Sequence, residues 1–266
     1  MSRKLRVARA ALHFWEEPCI SGEYGSGAIF FSGCSMRCAF CQNWQISHDL
    51  RGKDIDSYRL AEIFGELAAA GAHNINLVTP DHYMSAIIES LNIYRPNIPI
   101  VWNCSGYLSQ AAVRKISPYI DVFLPDLKFS NSLIAARYCA HSDYFEVASR
   151  SIKLMREIKG PAKYAENGII QQGVLVRHLI LPNAMENSLE IIDFLADLPP
   201  DTPVSVMAQY TPCGNIVEFP ELQRKITASE YQIILQEVFN KDLDGWVQEM
   251  DSADSGYIPI FDNSGV

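Results

Sequence analysis

Three cysteines crowd into the segment Ser32-Gly33-Cys34-Ser35-Met36-Arg37-Cys38-Ala39-Phe40-Cys41-Gln42-Asn43, with the spacing C-x3-C-x2-C. Cysteine thiolates are the usual ligands of iron–sulfur clusters. Three of them on one tight loop can hold three irons of a [4Fe–4S] cubane, and the fourth iron then has no local protein ligand. An open coordination position is what substrate chemistry at a metal needs. Chance burial of three small apolar residues does not account for so dense a group on a Gly-containing loop. Structural zinc, with Cys19 or Cys104 as fourth ligand, is the remaining rival. Zinc ribbons usually pair two C-x2-C units, and the chain has no second unit.

The other polar motifs need a frame to bring them to this loop. Thr79-Pro80-Asp81-His82, Asn103-Cys104-Ser105-Gly106, Pro125-Asp126-Leu127-Lys128, Arg177-His178 and Gln209-Tyr210-Thr211-Pro212 each sit in or at the end of an apolar run. The runs are 27–32, 74–79, 98–103, 120–125, 173–181 and 203–209. Each is short and nearly continuous in Val, Ile, Leu or Phe, as strands covered by helices on both faces are. Between them lie amphipathic stripes. Leu60, Ile63, Phe64, Leu67 and Ala68 make one, with Ser57 as its cap. Met84, Ile87, Ile88 and Leu91 make a second, and Phe145, Ala148, Ile152 and Met155, behind Ser142, a third. Ile191, Ile192, Leu195 and Leu198 follow. The last helix opens with Thr227 and Glu230 in capping-box spacing. Its stripe is Tyr231, Ile234, Leu235 and Val238. All of these stripes read as core packing.

Six β/α units imply an α/β fold with a parallel sheet wound in one sense. Six strands are too few for a closed eight-stranded barrel; an open, partial barrel and a doubly wound sheet both fit. In barrel enzymes the chemistry gathers at the C-terminal ends of strands, which is where these motifs fall. Singly, each reads equally well as a turn, a cap or an ion pair. As a set beside the cysteine loop, they read as a site.

Composition narrows the class. The chain has 266 residues, 48% hydrophobic and 20% charged, an ordinary globular balance. Its formal net charge of −9 argues against a general nucleic-acid binder, because phosphate contacts need clustered Lys and Arg. No apolar run reaches the ~18 residues of a membrane span, and Arg and Glu interrupt every apolar stretch of the first twenty residues. Seven cysteines, an odd number, do not suggest a disulfide framework. A cytoplasmic location is expected.

Cys34-x3-Cys38-x-Phe40-Cys41 resembles the signature of the radical S-adenosylmethionine (SAM) superfamily. The resemblance implies a [4Fe–4S] cluster on Cys34, Cys38 and Cys41, with the amino and carboxylate groups of SAM on the fourth iron and Phe40 beside the adenine. Glu16-Glu17-Pro18-Cys19-Ile20-Ser21-Gly22, Gly25-Ser26-Gly27 and Cys41-Gln42-Asn43-Trp44-Gln45-Ile46-Ser47 look like a branch of glycyl-radical-enzyme activating proteins related to pyruvate formate-lyase activating enzyme. This similarity runs over roughly residues 8–212. It implies a single-domain, partial (β/α)6 barrel of the radical SAM type. Residues 1–26 would pack on the barrel, 27–215 would form the core and 216–266 a C-terminal helix and tail. The ferredoxin-like two-cluster insert of some activating enzymes has no counterpart.

The implied activity is reductive cleavage of SAM to methionine and a 5′-deoxyadenosyl radical, which takes a hydrogen atom from a glycine of a partner enzyme. A flavodoxin- or ferredoxin-type protein would supply the electron. A small molecule or another peptide as substrate, and a zinc-stabilised binding module without activity, are the alternatives. SAM's own groups select candidates for contact. Its ammonium wants a carboxylate or carbonyl acceptor, which points to Asp81 beside Thr79. Its carboxylate wants a cation, which points to Lys128 and Arg177. Its ribose diol suits Asn103, Ser105 and Asp126. The family's usual Gly-Gly-Glu is replaced here by Thr79-Pro80-Asp81-His82, and Asn103 falls where activating enzymes typically carry Asp. His82 and His178 are not ranked as catalytic, and Cys104 and Cys213 read as packing residues.

Overall fold

The computed structural model describes residues 4–248 and 259–266. The chain opens with β1 (Leu5–His13), the short helix α1 (Pro18–Ser21) and β2 (Ser26–Phe31). The cysteine loop leads into α2 (Trp44–Ser47), β3 (Lys53–Ile55) and α3 (Ser57–Ala69). Then come β4 (Ile75–Val78), α4 (Met84–Ile93), β5 (Ile100–Cys104), α5 (Gln110–Ile116), β6 (Val122–Pro125), α6 (Ser132–Cys139) and α7 (Tyr144–Lys159). The second half holds β7 (Lys163–Tyr164), β8 (Ile170–Val174), β9 (Val176–Leu179), α8 (Met185–Ala196), β10 (Val204–Met207), α9 (Ala228–Asn240) and β11 (Gly245–Val247).

Strands β2, β4, β5, β6, β8 with β9, and β10 are the six parallel staves of an open, partial barrel. The run 173–181 does not stay one strand. It divides at Leu175: β8 pairs with β6 and β9 with β10, while the offset to β6 holds from Val122↔Gly173 to the bridge Asp126↔Arg177. One stave thus changes neighbour along its length, as a sheared barrel requires. Antiparallel β1 covers the edge of β2, and β3 adds to β1. A strand on a barrel edge protects open backbone groups.

The stripes bury as expected, but two caps shift. Asp56, not Ser57, caps α3 by accepting from the Arg59 amide at 2.9 Å, while Ser57 Oγ donates to Glu89. Asp143, not Ser142, precedes α7, and it makes no side-chain cap bond. Thr227 and Glu230 do form the reciprocal capping box of α9.

Side chains alternate between faces along each stave. On β6, Val122 and Leu124 join Val101, Leu175 and, from α1, Cys19 and Ile20 in an apolar interior plug. Phe123, on the other face, joins the helix-facing core. Two residues further along the same staves the interior turns polar, at Asn103, Asp126 and Arg177. The plug is therefore the floor on which the polar residues stand.

Candidate active site at the cysteine loop

One cavity opens over that floor, at the C-terminal ends of the staves. Cys34, Cys38 and Cys41 line it, together with Phe40, Thr79, Asn103, Ser105, Asp126, Lys128 and Arg177. Ten of the eleven residues singled out in the sequence thus meet around one space. The exception is Asp81: it does not line the cavity, and its carboxylate accepts from Trp102 Nε1 at 2.9 Å. Burial pushes that carboxyl up to about 7, against the indole bond. Asp81 follows β4 by a 3-10 turn, Asp81–Tyr83, which turns it back onto the helix-facing side where Trp102 lies. Thr79 stays at the cavity in a left-handed backbone conformation, φ 58°, rare for a β-branched residue and typical of constrained sites.

The cysteine loop is held from three directions. Gly33, at φ 92°, follows β2, where a Cβ would lie 3.0 Å from His82 Nε2. His82 in turn hydrogen-bonds the Ser32 carbonyl at 2.8 Å, so its role is to brace the loop. The end of α6 is the second support: the Ala39 amide donates to the Tyr138 carbonyl at 2.8 Å. The loop after β10 is the third. The Asn215 amide donates to the Ala39 carbonyl at 2.8 Å, and a side chain on Gly214 would collide with that carbonyl. Phe40 is wedged edge-on among Phe129, Tyr138 and Tyr210, each 6.1 Å away between ring centres.

Burial pushes the Cys34 thiol up to about 12 and, with Cys38 adding, also raises Cys41. A hydrogen bond with the Cys139 thiol and burial together raise Cys38. Free thiolates are thus disfavoured here, and a metal cation is what offsets their cost. Among the described residues, no three His, Cys, Asp or Glu side chains converge on a point that would hold one ion. In a cubane each thiolate takes its own iron, and the three cysteines line one cavity. Two buried polar atoms of residues that line the same cavity, Asn43 Oδ1 and Thr211 Oγ1, have no hydrogen-bond partner among the described residues. Buried polar atoms are usually satisfied, and these two are suited to a polar ligand. The residues present fit both a cluster and SAM.

The opposite wall is a network of charges. Arg177 Nε donates to Asp126 Oδ1 at 2.9 Å, Nη1 to Glu16 Oε2 at 2.8 Å and Nη2 to Asn103 Oδ1 at 2.7 Å. Glu17 Oε2 stands 3.7 Å from the same guanidinium. Lys128 Nζ donates to Asp126 Oδ2 at 2.5 Å. Burial works against the Asp126 charge, yet Arg177 and Lys128 outweigh it and hold the carboxyl below its usual range. Burial alone dominates at Glu17 and pushes it up to about 7. Arg177 thus meets carboxylates on two sides while lining the cavity. Lys128, with one carboxylate contact, keeps donors to spare.

Glu16 is the residue that sequence reasoning passed over. Besides Arg177, it accepts from Asn76 and Asn103, at 3.2 and 3.3 Å. Its segment was singled out only through resemblance, and nothing local shows that it reaches a stave 161 positions later. The apolar Cys19-Ile20 pair that anchors the segment was the one available signal. His178 is fully buried between the Leu127 carbonyl and Ser188 Oγ, each at 2.8 Å, and pins β9 to α8. Cys104 and Cys213 both line the cavity.

A model of the radical SAM superfamily matches residues 28–195, more than half of the chain, and the chain belongs to that superfamily. The superfamily's cofactors, a [4Fe–4S] cluster and SAM, are those of this chain. The chain is 31% identical over 243 residues to the uncharacterized protein MJ0674 of Methanocaldococcus jannaschii, covering 87% of this chain and 67% of that protein. A radical SAM methyltransferase from Sphaerobacter thermophilus superposes with a TM-score of 0.57 at 14% identity, over 87% of this chain and 70% of its own. That likeness is one of fold alone. A domain of pyruvate-formate lyase-activating enzyme from Bacteroides vulgatus superposes with a TM-score of 0.42 at 13% identity, over 73% and 91%, and carries no argument about the branch. No helix among the described residues is long and apolar enough to cross a membrane.

Proposed function

We propose that this radical SAM enzyme directs its radical at a glycine of a partner protein, as glycyl-radical-enzyme activating proteins do. The observation that carries the reading is one cavity lined both by the three thiols of a single loop and by the polar ends of the staves. The Cys41-Gln42-Asn43-Trp44 and Glu16-Glu17-Pro18 motifs supply the resemblance to the activating branch. Seven unpaired cysteines suit a reducing, cytoplasmic compartment with a flavodoxin- or ferredoxin-type donor.

Bound here, the cofactor pair supplies one-electron cleavage of the SAM sulfonium to a carbon radical able to take a hydrogen atom. The chain's own residues do the rest. Cys34, Cys38 and Cys41 would hold the irons. The Lys128 ammonium faces the cavity as the partner for a carboxylate. Asn103 and Ser105 offer acceptors and donors to a diol, with Asn103 held in place by Arg177 and Glu16. Phe40 and its aromatic neighbours keep water from the cluster side, where an exposed radical would be quenched.

The test uses anaerobically reconstituted protein, reduced with dithionite and given SAM. 5′-Deoxyadenosine is expected, slowly without substrate. Its formation should rise with the partner, and partner protein labelled with α-deuterated glycine should pass deuterium to it. S-Adenosylhomocysteine as main product would overturn the mechanism. Deuterium arriving from a small molecule, with no protein acquiring a radical, would replace the glycyl substrate.

A further inference from the structure

The segment Trp44-Gln45-Ile46-Ser47 enters the reading above only through resemblance, with no role given to its side chains. It forms α2, and its last residue turns back onto the cysteine loop. Ser47 is buried, at 5% exposure, and its hydroxyl lies 3.3 Å from Cys41 Sγ. On its other side the same oxygen lies 2.8 Å from Nδ1 of His48. The His48 ring cannot swing freely. It is stacked on Trp44, with ring centres 3.6 Å apart and planes 7° from parallel.

A hydroxyl has one proton. If it goes to Cys41 Sγ, the oxygen must accept on its other side, and His48 Nδ1–H is the donor placed to fill that position. The chain His48 Nδ1–H, Ser47 O–H, Cys41 Sγ is then consistently directed, and it ends on the sulfur. The opposite direction, Ser47 donating to His48, would leave a buried thiolate without that bond. As a cluster ligand Cys41 carries negative charge, and a bond donated to a charged acceptor is the stronger one.

We propose that Ser47, oriented by His48 on Trp44, is a positioning residue that donates a hydrogen bond to the cluster ligand Cys41 and so raises the cluster's reduction potential. The inference rests on the assignment of Cys41 as a ligand. Reduction adds an electron to the cluster and makes its sulfurs better acceptors. A donor held at one sulfur therefore stabilises the reduced form more than the oxidised one, and hydrogen bonds to sulfur are among the factors that set cluster potentials. His48, protonated at Nδ1, carries the chain of donors from the buried sulfur to a partly exposed ring, and its Trp44 stack fixes where that nitrogen stands.

The experiment is a redox titration of the reconstituted protein, followed by EPR of the reduced cluster, with iron counted in parallel. Ser47→Ala should keep about four irons and move the midpoint to more negative potential. A tenfold weaker reduction equilibrium, about 59 mV for one electron, is the expected size. Ser47→Thr, which keeps the hydroxyl, should restore most of it, and His48→Phe, which keeps the stack but not Nδ1–H, should move the midpoint part of the way. Should Ser47→Ala lose iron, Ser47→Thr against Ser47→Val isolates the hydroxyl from the shape of the side chain. An unchanged midpoint in Ser47→Ala with iron intact, or equal midpoints for the Thr and Val variants, overturns the proposal. Full iron retention in Cys41→Ala overturns the ligand assignment instead, whatever the midpoints show.

Discussion

The two walls of the cavity are built by opposite means. The cysteine wall comes from one short loop whose chemistry is complete in consecutive residues, and the rest of the fold only braces it. The charged wall is assembled from β5, β6, β9 and the segment before α1, with Glu16 and Arg177 161 positions apart. The first wall holds thiols raised by burial, whose thiolate forms a cation would favour. The second carries its own cation, Arg177, already surrounded by carboxylates. A loop can therefore be read for what it binds, whereas a long-range network must be assembled before its free groups can be counted.

The contrast predicts different failures. The largest effect belongs to the cysteine wall. Cys38→Ala should drop iron from about four per chain to a small residue, and 5′-deoxyadenosine should vanish with it. Cys104→Ala and Cys213→Ala, which line the same cavity, should keep the full count. Loss of iron in either would extend the ligand set beyond the loop.

The charged wall should fail by unfolding before it fails by binding. Arg177→Ala leaves Asp126, Glu16 and Glu17 buried without their shared cation, and breaking such a buried network costs about 3–5 kcal/mol. Urea denaturation of the unloaded protein checks this. Arg177→Lys should recover less than half, because a point charge cannot serve three acceptors from one planar fork. An Arg177→Ala protein of normal stability but weak SAM affinity would return Arg177 to the role of ligand.

Lys128 should show the reverse pattern. Its ammonium contacts one carboxylate, and it faces the cavity. Lys128→Ala should weaken SAM binding to the reduced protein ~10–100-fold, the worth of a charge-assisted contact of ~1.5–3 kcal/mol, with iron content unchanged. Unaltered affinity by titration would remove it from the SAM site.

How far each wall was legible follows from the same contrast. The loop chemistry and the six staves could be read directly, because both signals are local: cysteine spacing in one case and continuous apolar runs in the other. The nine-residue antiparallel β1 was not read as a strand, since its Arg6 and Arg9 break the pattern and its role is to cover an edge. The division of 173–181 could not be seen either, because a change of pairing partner leaves the apolar pattern intact. Arg177 could be located within its stave and Asp81 just past the end of its own. What each contacts depended on residues the sequence does not bring near: Glu16 for one, Trp102 for the other.

Asp81 belongs to neither wall, and its predicted effect is on stability alone. Burial holds its carboxyl neutral up to about pH 7, while in the unfolded chain it would lose its proton near 4. Between those values the folded chain binds more protons than the unfolded one, so stability falls as pH rises through this window and levels off above it. Glu17, pushed up to about 7 by burial, acts with the same sign. Asp81→Asn keeps an acceptor for Trp102 Nε1 and removes one of the two titrations. The variant should match the parent near pH 4 and melt higher by pH 8, with a shallower decline between them. Thermal melts across that range decide it: curves that stay parallel would mean that the Asp81 carboxyl is already ionised at neutral pH, its charge met by a partner other than the indole.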